Sequence, residues 1–191
     1  MKHNEGVNMT GPVIMKFGGT SVANAERLRG VAALAREYAE HGVLLVLSAF
    51  SGVTDSLFAA GRAALAGNVN EALDILGNML KRHRDTAAEL LGSEKLPASV
   101  ETALAAAESE LGSVLRGAAL LKALPDRSMD ILAGRGELLS TTILAAYMGI
   151  PWIDAREVMR TDSHFGCARP LTDTIAVLAR EKIAPLVTPG K

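Results

Sequence analysis

The sequence predicts an α/β fold built on a parallel sheet, and three observations carry that expectation. Residues 12–47 spell strand, helix, strand, with an aliphatic run at each strand and apolar positions three and four apart between them. Both aliphatic runs end in turns rich in glycine and hydroxyl side chains that lead into helices, as a right-handed parallel crossover requires. The chain has 191 residues, 49% of them hydrophobic and 21% charged, which is enough apolar material for a core and too little net charge for disorder.

The first strand is Pro12 to Phe17, bounded by Gly11-Pro12 and by Gly18-Gly19. A helix follows over Ala23–Glu40, with Leu28, Val31, Ala32, Ala35 and Ala39 on one side and Asn24, Glu26, Arg27, Arg36 and Glu37 on the other. His41-Gly42 stops it. Val43–Leu47 is aliphatic on both alternating faces, as a buried parallel strand should be. From Asp55 to Leu124 the period is helical, broken at Gly67-Asn68, Gly92-Ser93 and Leu96-Pro97, which predicts three helices. Their charged clusters, Lys81-Arg82-His83-Arg84-Asp85 and Glu101, Glu108 and Glu110, read as solvated faces. After Pro125 a single helix is expected from Met129 to Met148, then a short strand at Pro151–Asp154, a helix over Thr172–Lys182 and a strand at Leu186–Thr188. Residues 1–11 are expected to form a flexible arm, residues 12–191 one α/β domain, and residues 55–124 a helical insertion within it. The last aliphatic run has no partner after it, so the polypeptide reads as part of a longer one.

Composition narrows the function classes. Twenty Lys and Arg against 21 Asp and Glu leave a charge of −1, with no basic excess to neutralise a nucleic acid or an anionic membrane. Aromatics are 4% of the chain, too few for base-stacking platforms. The single cysteine, Cys167, excludes an internal disulfide and a multi-thiolate zinc site and suits a reducing, cytoplasmic setting. The polar opening is no signal peptide, and no apolar run approaches the roughly 18 residues of a spanning helix.

Candidate chemistry gathers at the strand ends. In Met15-Lys16-Phe17-Gly18-Gly19-Thr20-Ser21, two glycines allow a close backbone approach to an anion, two hydroxyls can donate or cap, and Lys16 adds a mobile positive charge. The same pattern also reads as a glycine turn with a serine cap and an incidental lysine, but ligands in parallel sheets bind at the carboxyl ends of strands, where this lysine lies. Ser48-Ala49-Phe50-Ser51-Gly52-Val53-Thr54-Asp55 ends the second strand on the same edge, so Lys16, Gly18, Gly19, Ser48 and Thr54 can converge on one cleft; Ser48 and Thr54 are equally readable as caps. Gly134-Arg135-Gly136-Glu137 interrupts the helical pattern and puts Glu137, Ser140 and Thr141 on one face, a carboxylate among hydroxyls that suits an ammonium or simply complements the helix dipole. Asp154–Glu157 and Thr161–Gly166 could line the rim or act as cap and turn. His164 and Cys167 lack partners at metal-ligand or nucleophile-activating spacing.

Five segments in order, MKFGGTSV (15–22), LSAFSGVTD (47–55), GRGELLST (134–141), DAREVMRTD (154–162) and HFGCARP (164–170), together resemble the amino-terminal part of the catalytic domain of the aspartokinases, members of the amino-acid kinase family. The resemblance runs from about residue 13 to the end. It implies a three-layer α/β/α sandwich on a mainly parallel sheet, incomplete in this chain, and transfer of the γ-phosphoryl of ATP, arriving with Mg2+, to the β-carboxylate of L-aspartate. The product, 4-phospho-L-aspartate, leads to lysine, threonine and methionine. It further implies that Lys16 neutralises the transferring phosphoryl group, that Lys16, Phe17, Gly18, Gly19, Thr20 and Ser21 hold ATP phosphates, and that Ser48, Thr54 and Glu137 bind aspartate, Glu137 through its ammonium. No protein metal cage is expected, nor a nucleic-acid or membrane partner, and a full-length enzyme of this kind would be a homo-oligomer.

The family's later glycine-rich acceptor segment, its nucleotide-base half and its regulatory domains have no counterpart in the sequence, so the 191 residues alone are expected to show little or no kinase activity. Two other readings fit the same residues: an amino-acid kinase with a different carboxylate acceptor, and a non-catalytic module that binds aspartate or assembles with a partner.

Overall fold

Strands β1 (Val13–Phe17) and β2 (Val43–Leu47) pair in parallel, Val13 opposite Val43 and Phe17 opposite Leu47. They belong to a computed structural model that describes residues 11–189; the expected arm at residues 1–11 lies outside it except for Gly11. Helix α1 (Ala25–Glu37) makes the crossover and buries Leu28, Val31, Ala32 and Ala35, the stripe its spacing predicts. It is shorter at both ends than Ala23–Glu40, because Asn24 caps it and a short 3-10 turn, Ala39–His41, runs into Gly42 at φ 75°.

One face of the sheet, with Phe17, Leu45 and Leu47, packs onto the helices. On the other, Ile14 is 69% exposed and Val46 44%. The aliphatic run of β2 is therefore covered on one side only, not buried on both as expected.

Helices α2 (Val53–Leu65), α3 (Val69–Leu91) and α4 (Ala98–Leu121) follow, broken where Gly67-Asn68, Gly92-Ser93 and Pro97 predict. Their Leu57, Leu76, Leu104, Leu111 and Leu115 join Phe50 and Leu28 in one continuous core.

The helix expected over residues 129–148 is two helices, α5 (Asp126–Ala133) and α6 (Arg135–Met148), divided at Gly134, a weak helix former two positions before a second glycine, Gly136. Neither later strand forms. Pro151 offers no N–H, the Trp152 indole N–H is spent on Thr141 Oγ1 (2.9 Å), and Asp154 caps a 3-10 turn at Ala155–Glu157. Residues 186 and 187 donate their amides back to the Ile183 carbonyl and so continue the turn after α7 (Thr172–Lys182) instead of laddering with a neighbour. Among the described residues no helix is long and apolar enough to cross a membrane.

Candidate functional site

The two strand ends are locked together first. The Ser48 amide donates to the Phe17 carbonyl (3.0 Å), extending the ladder one step past β2. From there Gly18 leads into a 3-10 turn, Gly19–Val22, closed by the Ser21 amide on the Gly18 carbonyl (2.9 Å). The second loop reaches α2 through Gly52 at φ 79°, a left-handed conformation that a Cβ would strain. The loops touch: a Cβ on Gly19 would stand 3.1 Å from the Ala49 carbonyl oxygen. Lys16 lies exposed on the open face of the sheet, and its Nζ turns toward Gly18, 3.7 Å from where a Cβ would stand.

The first turn of α6 closes the third side. A Cβ on Gly136 would fall 2.7 Å from Ala49 Cβ and 2.8 Å from Val53 Cγ1, so only glycine lets the helix come this close. Ser140 Oγ donates to the Ser48 carbonyl (2.9 Å) and fixes the helix against the loop. One turn earlier, Glu137 carries a buried Oε2 that has no hydrogen-bond partner among the described residues. Burying a carboxylate oxygen with nothing to accept from is costly, and a cationic or N–H-bearing ligand removes that cost.

The sequence-predicted residues thus divide. Phe17, Gly18, Gly19, Ser48 and the turn that carries Glu137 meet directly, and Lys16 reaches over Gly18. Thr20 is exposed on the 3-10 turn, Ser21 is half-buried within it, and Thr54 is half-buried in the first turn of α2, next to the Val53 side chain that faces Gly136.

Ser140 and Thr141, which the sequence places on one face with Glu137, spend their hydroxyl protons on the main chain and keep only acceptor capacity for a ligand. Their hydroxyls donate to main-chain carbonyls, Ser140 to Ser48 and Glu137, Thr141 to Glu137 (2.7 Å), the usual competition of hydroxyl side chains for the carbonyls of the preceding helical turn. The rim residues also satisfy one another. Asp154 accepts from the Arg156 amide and guanidinium, which hold its carboxyl below the usual range, and Asp162 is lowered likewise by the Arg169 and His164 amides. Arg135, nearly buried, pairs with Glu110 on α4.

Two residues read as part of a solvated face belong instead to the site's support. His83 is 0% exposed, its ring stacked on Phe50 with centroids 4.6 Å apart and planes 10° from parallel. Its Nδ1 lies 2.8 Å from the Met79 carbonyl oxygen, so Nδ1 carries the proton, and Nε2 is left buried without a partner among the described residues. Burial, offset in part by that hydrogen bond, lowers its pKa from 6.5 to about 4. Next to it, Arg82 donates Nη1 to the Ser51 carbonyl (2.7 Å) and Nη2 to the Ala23 carbonyl (2.9 Å). Positions 79, 83, 86, 87 and 90 of α3 are all buried at helical spacing, so His83 falls on the core stripe; that periodicity was the available signal.

These loops at the carboxyl ends of parallel strands, closed by a glycine-led helix turn, describe a class before they describe a reaction. The family model for the amino acid kinase family matches residues 11–191, and the chain belongs to that family. It is similar to aspartokinase 1 of Arabidopsis thaliana, 38% identical over 146 residues that make up 75% of this chain and 24% of the relative. It is also similar to the lysine-sensitive aspartokinase 3 of Escherichia coli, 32% identical over 187 residues, 93% of this chain and 38% of the relative. Among solved structures, E. coli aspartokinase III in complex with aspartate and ADP superposes with a TM-score of 0.76 at 29% identity, over 90% of this chain and 37% of that one. The α/β architecture is therefore that of the amino-acid kinase fold, and the chain spans between about a quarter and two fifths of these relatives.

Proposed function

We propose that the chain binds L-aspartate and the phosphates of ATP as an aspartate kinase does, for transfer of the γ-phosphoryl group to the β-carboxylate and formation of 4-phospho-L-aspartate. The observation that carries this reading is the buried, unpartnered Oε2 of Glu137, placed beside the two strand-end loops. An α-ammonium group is the ligand chemistry that satisfies it. Ser48, on the loop that Gly136 and Ser140 hold in place, and Thr54, in the first turn of α2 just after it, would orient the rest of the amino acid. Gly18 and Gly19 expose main-chain N–H groups to the phosphates, with Thr20 and Ser21 beside them, and the Lys16 ammonium neutralises charge on the transferring group. In the transfer an oxygen of the β-carboxylate bonds to the γ-phosphorus as the bond to the β,γ-bridging oxygen breaks, and ADP leaves. Such a step asks the protein for positioning and charge stabilisation rather than covalent participation.

Among the described residues no three His, Cys, Asp or Glu side chains converge to hold a metal ion. The magnesium that accompanies ATP would be held by phosphate oxygens and water, and it supplies further neutralisation of phosphate charge. The product feeds lysine, threonine and methionine biosynthesis; the free, exposed Cys167 suits a cytoplasmic enzyme, and assembly with further copies is part of the same reading.

Titration calorimetry with L-aspartate and with MgADP tests the assignment. Glu137→Ala should weaken aspartate at least tenfold and leave the nucleotide unchanged, whereas Lys16→Ala should do the reverse and abolish any acyl phosphate that hydroxylamine traps. Undiminished aspartate affinity in Glu137→Ala sinks the assignment. Aspartate binding with no nucleotide binding would make the chain a ligand-binding module.

A further inference from the structure

We propose that Arg82 is a positioning residue that sets the gap between the two strand-end loops, and through it the alignment of phosphoryl donor and acceptor; this rests on the functional reading above. Arg82 sits on α3, 59 residues from Ala23 and 31 from Ser51, yet its guanidinium donates to both main-chain carbonyls at 2.9 and 2.7 Å. One carbonyl belongs to the loop that leaves β1 and the other to the loop that leaves β2. The same guanidinium lies 6.0 Å from the centroid of the Phe50 ring, which His83 stacks from the next position on the helix.

The two loops share one anchor at the strands, the Ser48 amide on the Phe17 carbonyl, but that bond fixes only their near ends. Arg82 ties their far ends. A guanidinium is a rigid planar fork with donors in set directions, so two carbonyls bound to its two Nη atoms are held at one separation. A lysine in the same place is a point charge on a flexible stem and reaches one carbonyl at a time. If phosphates lie on the first loop and aspartate on the second, this separation is the distance the reaction has to control. Reacting atoms need to approach within about 3–3.5 Å and in line, and a displacement of about 1 Å costs on the order of a hundredfold in rate. Both Nη atoms of Arg82 are committed to main-chain carbonyls. Arg82 acts through Ala23 and Ser51.

The role predicts a fall in kcat without a matching loss of substrate binding. In an enzyme that carries these residues within a complete catalytic domain, Arg82→Met, which keeps the stem, should lower kcat for acyl-phosphate formation about thirty- to a hundredfold, while KM for aspartate and for ATP each change less than threefold. Arg82→Lys should recover part of the loss, and millimolar guanidinium ion should raise kcat of Arg82→Ala several-fold without effect on the wild type. An unchanged kcat in Arg82→Met, or a loss that neither lysine nor guanidinium repairs, overturns the proposal. Hydrogen exchange reads the clamp without turnover: Arg82→Met should speed exchange at the Ser21 and Val53 amides, which close the two loops, and leave α4 unchanged. Unchanged exchange at both amides overturns the clamp. A wild-type chain that binds neither aspartate nor nucleotide, with exchange altered as stated, rejects the functional reading and the alignment role while the clamp itself stands.

Discussion

The loop that leaves β1 and the loop that leaves β2 do the same topological work by different means. The first is built mainly from its own residues: Gly18 opens it, the Ser21 amide closes on the Gly18 carbonyl, and Asn24 caps α1 by accepting from the Arg27 amide (2.9 Å), with Arg82 reaching in to the Ala23 carbonyl at its far end. The second enters α2 through Gly52 with no side-chain cap. It is held from outside, by Ser140 on the Ser48 carbonyl, Arg82 on the Ser51 carbonyl, His83 under Phe50 and Gly136 against Ala49 and Val53. A loop closed mostly by its own residues should loosen only when the Arg82 tie is lost, whereas one held by many tertiary contacts should loosen with any of its supports. The second is also the loop that carries the proposed acceptor contacts.

The largest way to test that contrast is pH. His83 is neutral in the folded state with a pKa of about 4, while in the unfolded chain it titrates near 6.5. Between these values the unfolded state binds a proton that the folded state refuses, so stability declines as pH falls from about 6.5 to about 4. At about 1.4 kcal/mol per pH unit the full loss approaches about 3 kcal/mol, acting against the group that holds Phe50. In His83→Phe, which keeps a ring against Phe50, denaturant melts at pH 7 and pH 4.5 should differ by less than in the wild type. Equal pH dependence in the two proteins would mean that His83 is not the group that titrates.

Gly136→Ala comes next. Helix propensity alone favours alanine by up to about 1 kcal/mol, but the new methyl would overlap Ala49 Cβ, which cannot rotate away, as well as Val53 Cγ1. The clash should win by about 2 kcal/mol in chemical denaturation and should push α6 from the second loop, so that aspartate affinity falls along with stability. A stabilised variant would mean that the close approach of α6 is not obligatory.

The same contrast explains which features could be read from the residues. The strand–helix–strand unit, the breaks at Gly67, Gly92 and Pro97, and the meeting of the two strand-end loops at Gly19 and Ala49 all follow from local chemistry and from the geometry of parallel crossovers. The supports of the second loop do not, because each reaches it from 31 or more residues away. Arg82 and His83 stand in a run of charged residues whose composition says solvent; the phase of the buried stripe on α3 says otherwise for His83, and no pattern within α3 marks Arg82. Pro151–Asp154 and Leu186–Thr188 have strand-like composition, but a strand needs a ladder partner. In this structure the Leu186 and Val187 amides bond within the turn after α7, and the Trp152 side chain bonds to Thr141.

The smallest effect is expected at the first loop, and it is the control for the rest. Asn24→Ala removes a single cap and should cost about 1 kcal/mol, the ordinary value for an N-cap asparagine. Because Asn24 acts on α1 alone, the loss should appear as faster exchange of the Arg27 and Leu28 amides, with the Val53 amide of the second loop unchanged. If Val53 exchange rises together with Arg27 exchange, the two loops open as one unit. Their difference in construction would then carry no difference in stability, because the Arg82 fork would be transmitting damage from the first loop to the second.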